Sequence, residues 1–394
     1  MKRAAVLFLF AILACTSTRP VVDEATRTAI AQITEAVTQN PTHQPLIYIL
    51  ATYHDQARDS AGVVKWLRRL DELGWEHGVG EDGFRHTNTP EFREIAAKLN
   101  AREPRVRRAQ SVFTIAGRRD LIPEGIAFDP VEDVFYVTGI YRRNVLRVDR
   151  NGRATDFVKE AQDGMLGGLG VKVDAKRRLL WVVSTTTPEM RGWKAGDDRS
   201  MLAAYDLRDG RLVRRIDAAP AMLNDLALLD DGSLFATDMG GSNVLRLAPE
   251  ATAFEVWAKD LRYPNGIALS EDQRFLYVAD FRGITRFDLS DASRARIESK
   301  ALLGGIDGLS MHGGKLIGIQ NGLGKTRVIR IDPADGNVEI LESGNPLFDI
   351  PTTGTVAGDD YFFIANSQLR AFTDDHTIWP MEKLRDPVML RIGL

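Results

Sequence analysis

The sequence has almost no cysteine: Cys15 is the only one among 394 residues. An intramolecular disulfide is therefore impossible. The chain also lacks a zinc-type cluster of cysteine and histidine, and it has no Gly-x-Ser-x-Gly nucleophile elbow. These absences disfavour covalent catalysis through an activated serine or cysteine.

An excess of charge of either sign is also missing, because the net charge is −3 with 27% charged residues. Proteins that bind nucleic acid usually concentrate positive charge on one face, so the composition predicts no nucleic-acid partner. No internal segment has the roughly 20 consecutive apolar residues that a membrane-spanning helix needs. A hydrophobic fraction of 44% is enough to bury a sizeable core.

The N-terminus differs from the rest of the chain. Residues 1–3 (Met-Lys-Arg) are basic, residues 4–14 form an apolar run, and Cys15 follows. This order is typical of a secretory signal, and Ile-Leu-Ala-Cys at 12–15 resembles the lipobox of bacterial lipoproteins. The resemblance implies that residues 1–15 are a lipoprotein signal and that Cys15 is lipidated. The alternative is a plain signal peptide in which the cysteine is incidental.

The lipobox resemblance also gives an expected location. It places the chain in the bacterial cell envelope, held to the membrane by a lipid anchor. Because residue 16 is a threonine rather than an aspartate, similarity to Gram-negative lipoproteins favours the periplasmic side of the outer membrane.

Residues 22–101 have the apolar spacing of helices. Four helices are predicted, over Glu24–Gln39, from Leu46, over Ala61–Leu73 and over Pro90–Leu99. The middle of this region resembles a tetratricopeptide unit, which implies a small packing or docking domain with a possible protein partner. Arginine-rich residues 102–110 are interpreted as a linker.

From residue 110 to the C-terminus, short strands and turns replace helical periodicity. A small motif followed by four strands recurs six times, at the spacing of about 40–50 residues that is typical of propeller blades. The sixth repeat lacks its fourth strand, and Val112–Ala116, ahead of the first repeat, can supply it. We therefore predict a mainly β chain, in which a six-bladed β-propeller over 110–394 follows the helical domain. An open β-sandwich is the alternative, but it would not give so regular a repeat.

Aligning the six repeats places one residue of each in a common column at the start of the first strand. The column contains Glu124, Leu169, Asn224, Asn265, Asp307 and Thr353. The first strand of each blade lines the axis of a propeller, so these side chains are expected to form a ring around the tunnel. Four of them carry the carboxylate or amide oxygens that hard cations prefer. We predict one divalent metal ion, with Ca²⁺ favoured, held by Glu124, Asn224, Asn265 and Asp307.

Each of these residues also has a structural interpretation when taken alone. Pro264-Asn265-Gly266 is an ordinary turn signal, Asn224 can cap a turn, and Glu124 can be a surface charge. Four oxygen donors at the same position of a six-fold repeat favour the metal site.

Several motifs resemble the SMP-30/gluconolactonase family and its paraoxonase relatives. They are Pro123-Glu124-Gly125, Asn224-Asp225, Pro264-Asn265-Gly266-Ile267 and Asp307-Gly308. The resemblance implies that Glu124, Asn265 and Asp307 are metal ligands, and that Asn224 is a further ligand or a substrate contact. It also implies metal-dependent opening of lactones or, in some members, of aryl or phosphate esters.

The sequence departs from this family pattern at four places. Met222 stands where gluconolactonase-type members often carry a sugar-contacting arginine. Leu169 stands where paraoxonases have a histidine, and Gly125 and Gly308 replace their additional polar residues. Substrate specificity therefore cannot be carried over from the family.

Two insertions lengthen the connections between the second and third strands of blades two and six. They span residues 185–200 and 367–386 and are expected to overhang the tunnel mouth. Trp193 and His376 are predicted substrate contacts there, with Trp379 as a further lid aromatic. The alternative is that both are long surface loops without a role.

The sequence favours hydrolysis of a cyclic or activated ester, with a small-molecule ester or lactone as substrate. Asp307 and Asp225 are the candidate general bases, and Asn224, His376 and Trp193 are the candidate substrate contacts. The first alternative is a non-catalytic propeller, stabilised by its metal, that binds a ligand or protein. A metal-free condensing enzyme resembling strictosidine synthase is a third reading, disfavoured by the ligand set.

Overall fold

The computed structural model describes residues 24–80, 83–218 and 221–394. Cys15 and the predicted lipoprotein signal lie outside these residues. The chain divides into two compact units. One contains the described residues from 24 to 105 together with 323–326 and 373–377, and the other contains the remaining described residues from 106 onward.

The described part of the first unit contains four α-helices, as the sequence predicts. They are α1 (Glu24–Gln39), α2 (Gln44–Gln56), α3 (Ser60–Glu72) and α4 (Pro90–Asn100). The side chains of His43, Asp59 and Thr89 accept hydrogen bonds from backbone N–H groups at the first turns of α2, α3 and α4. These bonds satisfy amides that have no partner inside the helix. None of the helices in the described ranges is long and apolar enough to cross a bilayer.

Six four-stranded antiparallel sheets make up the second unit. Blades one to three are β2 (Pro123–Asp129), β3 (Val134–Gly139), β4 (Asn144–Val148), β5 (Ala154–Val158); β6 (Gly167–Asp174), β7 (Leu179–Thr185), β8 (Ser200–Asp206), β9 (Leu212–Asp217); and β10 (Leu223–Leu228), β11 (Leu234–Asp238), β12 (Asn243–Leu247), β13 (Glu255–Ala258). Blades four to six are β14 (Ile267–Leu269), β15 (Phe275–Asp280), β16 (Gly283–Asp288), β17 (Arg294–Arg296); β18 (Ile306–His312), β19 (Lys315–Gln320), β20 (Arg327–Ile331), β21 (Val338–Ser343); and β22 (Gly354–Ala357), β23 (Asp360–Ile364), β24 (Val388–Gly393), β1 (Gln110–Thr114).

The last blade closes the ring in the way that the sequence predicts. Its strand order is β1-β24-β23-β22, so the first strand of the unit pairs with the last strand of the chain. Ring closure leaves no free edge between the beginning and the end of the propeller. The fold prediction, a six-bladed propeller preceded by helices, is confirmed.

Apolar side chains fill the space between neighbouring blades. One cluster joins Phe135 of blade one to Phe362 and Met389 of blade six, and their two aromatic rings lie 5.0 Å apart. Strands covered on both faces are continuously buried, as β3 and β8 are. This packing holds the inner strand of each blade in place, and the inner strands position the tunnel residues.

Candidate metal centre

β-Bulges occur at the column residues of four blades. The pairing of first and second strands shifts register between Pro123 and Ile126, and at the equivalent positions of blades two, three and five. A bulge frees a residue from the ladder and redirects its side chain. Glu124, Leu169, Asn224 and Asp307 all lie within these bulges.

Neighbouring column residues are held close together by glycine. A Cβ atom on Gly266 would lie 2.4 Å from the carbonyl oxygen of Asp307, and one on Gly308 would lie 2.6 Å from the Cα of Thr353. Only a residue without a side chain permits this approach. The Xaa-Gly motifs of the sequence therefore bring the start of one inner strand against the next.

Two threonines connect blade six to blade one. The hydroxyls of Thr352 and Thr353 donate to the carbonyl oxygen of Glu124, at 2.8 and 2.6 Å. The column is thus a closed ring, and the backbone of Glu124 is fixed within it.

Asp307 accepts hydrogen bonds on both carboxylate oxygens. Asn265 Nδ2 donates to Oδ1 at 2.7 Å, and Asn321 Nδ2 donates to Oδ2 at 2.6 Å. Because the amide nitrogen of Asn265 is used in this bond, its carbonyl oxygen is left for another partner. Asn224 is oriented in a similar way, since its Nδ2 lies 3.0 Å from the sulfur of Met239.

Three side-chain oxygens of the ring are buried and lack a partner. Within the described part of the chain, no hydrogen bond reaches Oε2 of Glu124, Oδ1 of Asn224 or Oδ1 of Asn265. Burying a polar atom without a partner costs about 1–3 kcal/mol. The three orphaned acceptors are the atoms that a cation in the ring would satisfy.

Electrostatics in the ring also favour a cation. Burial raises the pKa of Glu124 well above its usual value, and the neighbouring carboxylates of Asp307 and Asp225 raise it further. Burial raises the pKa of Asp307 to about 6, although the amides of Asn321 and Asn265 oppose the rise. Ionising these carboxyls together is costly unless positive charge lies among them.

The oxygen atoms of the ring fit a hard cation when the amide oxygens are included as ligands. Among the described residues, no group of three or more His, Cys, Asp or Glu side chains is placed to hold a metal. The candidate centre instead combines two carboxylates, from Glu124 and Asp307, with the amide oxygens of Asn224 and Asn265. Oxygen-only sets of this kind suit Ca²⁺.

Asp225, the other candidate base, is buried and differently engaged. Its Oδ1 accepts from the backbone N–H of Leu226 at 2.8 Å and lies 3.5 Å from Nζ of Lys172. Asp225 therefore faces a lysine, whereas Asp307 faces two amides.

The two insertions leave their sheets at the same edge as the ring residues. In blade two Gly167 pairs with Thr185, where the insertion begins, and in blade six Gly354 pairs with Phe363, shortly before the insertion. Both insertions then contact Tyr141 of blade one: Arg191 lies over its ring at 4.8 Å, and the ring of Phe372 lies 6.1 Å from it.

The predicted substrate contacts occupy different places. Trp193 packs against the apolar cluster between blades one and two, whereas Trp379 packs against the cluster that contains Leu169. His376 lies in the turn Thr373–Thr377, outside the compact unit that holds the ring. The roles of Trp193 and His376 remain predictions.

A cavity of about 440 Å³ lies at the opposite ends of the inner strands. Phe128, Lys172, Leu228 and Thr355 line it, and all four follow the ring residues along their strands. The six ring residues are not part of its lining, whereas Lys172 both lines the cavity and pairs with Asp225.

Alignment of the first strands missed two residues of the centre. Asn321, which holds Asp307, directly follows the second strand of blade five. Polar residues also end the second strands of other blades, such as Asp238 and Asp280. Aligning the ends of the second strands would therefore have indicated Asn321. Lys172 gave no signal, because an isolated lysine on a strand usually faces solvent.

The SMP-30/Gluconolactonase/LRE-like region family matches residues 122–362. Comparison with curated proteins gives no significant match. Among solved structures, a gluconolactonase from Xanthomonas campestris is similar at 19% identity and a TM-score of 0.50, over 71% of this chain and 89% of that one. A luciferin-regenerating enzyme is similar at 13% identity and a TM-score of 0.51, over 73% and 95%. At these identities the two structures support the fold alone.

Proposed function

The chain belongs to the SMP-30/gluconolactonase/LRE-like family, and from this membership we propose that it is a metal-dependent hydrolase of lactones or related esters. One observation carries the proposal: three orphaned oxygens, from Glu124, Asn224 and Asn265, belong to the same ring as the carboxylate of Asp307. Ca²⁺ is the proposed ion, since every donor is an oxygen.

The four column residues would hold the ion through their side-chain oxygens. When bound, a divalent cation supplies Lewis-acid polarisation of an ester carbonyl. The amides of Asn265 and Asn321 hold the Asp307 carboxylate in one orientation. Asp307 is the proposed general base, which removes a proton from the attacking water through a carboxylate oxygen. The ion pair with Lys172 makes Asp225 the weaker candidate.

Apolar walls around one sector of the ring suit the uncharged part of a small ester. Leu169 shares a buried cluster with Phe372, and Trp379 packs against the same cluster. We propose Trp379 as a wall of the substrate site, with Asn224 as a polar contact. No sugar-acid substrate is assigned, because Met222 stands where a sugar-contacting arginine would be.

A panel of lactones and aryl esters, assayed with and without chelator, tests the proposed activity. We expect turnover of at least one substrate, its loss on chelation and its return with Ca²⁺. We also expect Ca²⁺ to raise the melting temperature, because a ligand that binds only the native state stabilises it. Turnover that is insensitive to chelator would contradict the proposal.

The second candidate function is a non-catalytic propeller that binds a ligand or a protein. The observation in its favour is that both oxygens of Asp307 already accept amide hydrogen bonds, which suits a fixed ligand better than a base. Complete inactivity on the panel, with Ca²⁺ bound, would support this function. The helical unit would then be the proposed docking module for a protein partner.

We further propose that Cys15 anchors the chain to the bacterial cell envelope. The basic start, the apolar run and the lone cysteine support this assignment. Replacing Cys15 with Ser should move the protein from the membrane fraction to the soluble fraction. An unchanged distribution on fractionation would refute the lipid anchor.

A further inference from the structure

The side chain of Lys172 carries a positive charge close to the candidate metal centre. Lys172 follows Leu169 on β6, and its side chain also lines the cavity at the opposite ends of the inner strands. Its Nζ lies 3.5 Å from Oδ1 of Asp225, whose side chain is only 4% exposed. The ammonium is therefore directed at a buried carboxylate beside the candidate metal centre.

The charges around Glu124 form a small set. Glu124 and Asp307 are the two carboxylates of the candidate centre, and Asp225, which follows Asn224 in the chain, is the carboxylate that Lys172 contacts. With every group ionised, three carboxylates and one ammonium leave a net charge of −2. That charge equals and opposes the charge of one divalent cation.

We propose that the ammonium of Lys172 offsets part of the negative charge of the centre. The centre then binds cations less tightly than it would without Lys172, and it favours divalent over trivalent ions. An ammonium has no acceptor and cannot itself be a metal ligand. It acts by repulsion, which grows in proportion to the charge of the ion. The inference rests on the metal centre of the proposed function but does not require the chain to be an enzyme.

Calorimetric titration of the chelated, full-length protein with Ca²⁺ and with Tb³⁺ tests this role. Lys172→Met should bind Ca²⁺ on the order of tenfold more tightly, because a nearby repulsive charge is removed. The same change should increase the affinity for Tb³⁺ about 30-fold, because the repulsion is proportional to the charge of the ion. A lysine with a merely structural role would weaken binding when removed.

Three further variants complete the experiment. Lys172→Arg keeps the charge and should match the wild type. Lys176→Met removes an exposed lysine from the turn that follows the same strand and should leave both affinities unchanged. Lys172→Gln removes the charge but keeps a donor for Asp225, so it should tighten binding even if the methionine variant does not fold.

The outcomes separate the two hypotheses. If wild-type protein takes up neither ion, the metal centre itself is wrong and this role of Lys172 falls with it. If wild type binds Ca²⁺ but Lys172→Gln binds with equal or lower affinity, only the role of Lys172 is refuted. Equal tightening by Lys176→Met would also refute it, because the effect would then be one of overall charge.

Discussion

Replacing Asp307 with Asn should lower turnover of any active ester by about 10²–10⁴-fold, the usual contribution of a general base. The substitution keeps an oxygen that can serve as a ligand, so excess Ca²⁺ should restore occupancy of the centre. It should not restore the rate, because the amide cannot accept the proton. Turnover and bound Ca²⁺ are measured on the same samples across a range of Ca²⁺ concentrations.

Glu124→Gln is the matched comparison. It also removes one negative charge from the ring but leaves the proposed base in place. Excess Ca²⁺ should therefore recover most of its activity. If Asp307→Asn is rescued in the same way while Asp225→Asn stays inactive, the base is Asp225. If all three variants bind metal and keep the full rate, the ring is not the catalytic site.

Gly266→Ala should destabilise the propeller and, at the same time, weaken metal binding at the candidate centre. The added Cβ would lie 2.4 Å from the carbonyl oxygen of Asp307 and 2.8 Å from the backbone nitrogen of Leu309. Backbone atoms cannot rotate away as a flexible side chain does, so the two inner strands must separate. Overpacking of this kind costs about 1–3 kcal/mol of unfolding free energy. Separation should also lengthen the hydrogen bond between Asn265 and Asp307, and thereby lower the affinity for Ca²⁺.

Gly393→Ala is the control for this substitution. Gly393 lies at the end of β24, and the nearest atom to its added Cβ is 3.9 Å away. Denaturant unfolding in the presence of chelator measures the packing cost alone, and a Ca²⁺ titration then measures the effect on the site. Equal unfolding free energies for the two variants would show that the close approach at Gly266 has no energetic consequence.

The propeller could be predicted because the same pattern of four strands recurs six times in the sequence. The column from Glu124 to Thr353 was visible for the same reason, and the glycines after several of its members already signalled the close approach. The pairing of β1 with β24, which completes blade six, could be predicted because the last repeat lacks its fourth strand.

The details of the centre were less accessible. The sequence analysis named both Asp307 and Asp225 as candidate bases, whereas the structure gives them different partners, two amides for Asp307 and Lys172 for Asp225. Contacts between blades depend on how inner strands approach each other, and no local pattern records them. Trp193 illustrates the same limit, since its packing partners come from other segments of the chain.

The central claim is that one divalent cation lies within the ring. An anomalous difference map from crystals grown with Ca²⁺ tests it most directly. The account predicts a single peak per propeller, about 2.3–2.6 Å from side-chain oxygens of Glu124, Asn224, Asn265 and Asp307. A ring that contains only water in metal-replete crystals, or a cation held by other residues, would contradict it.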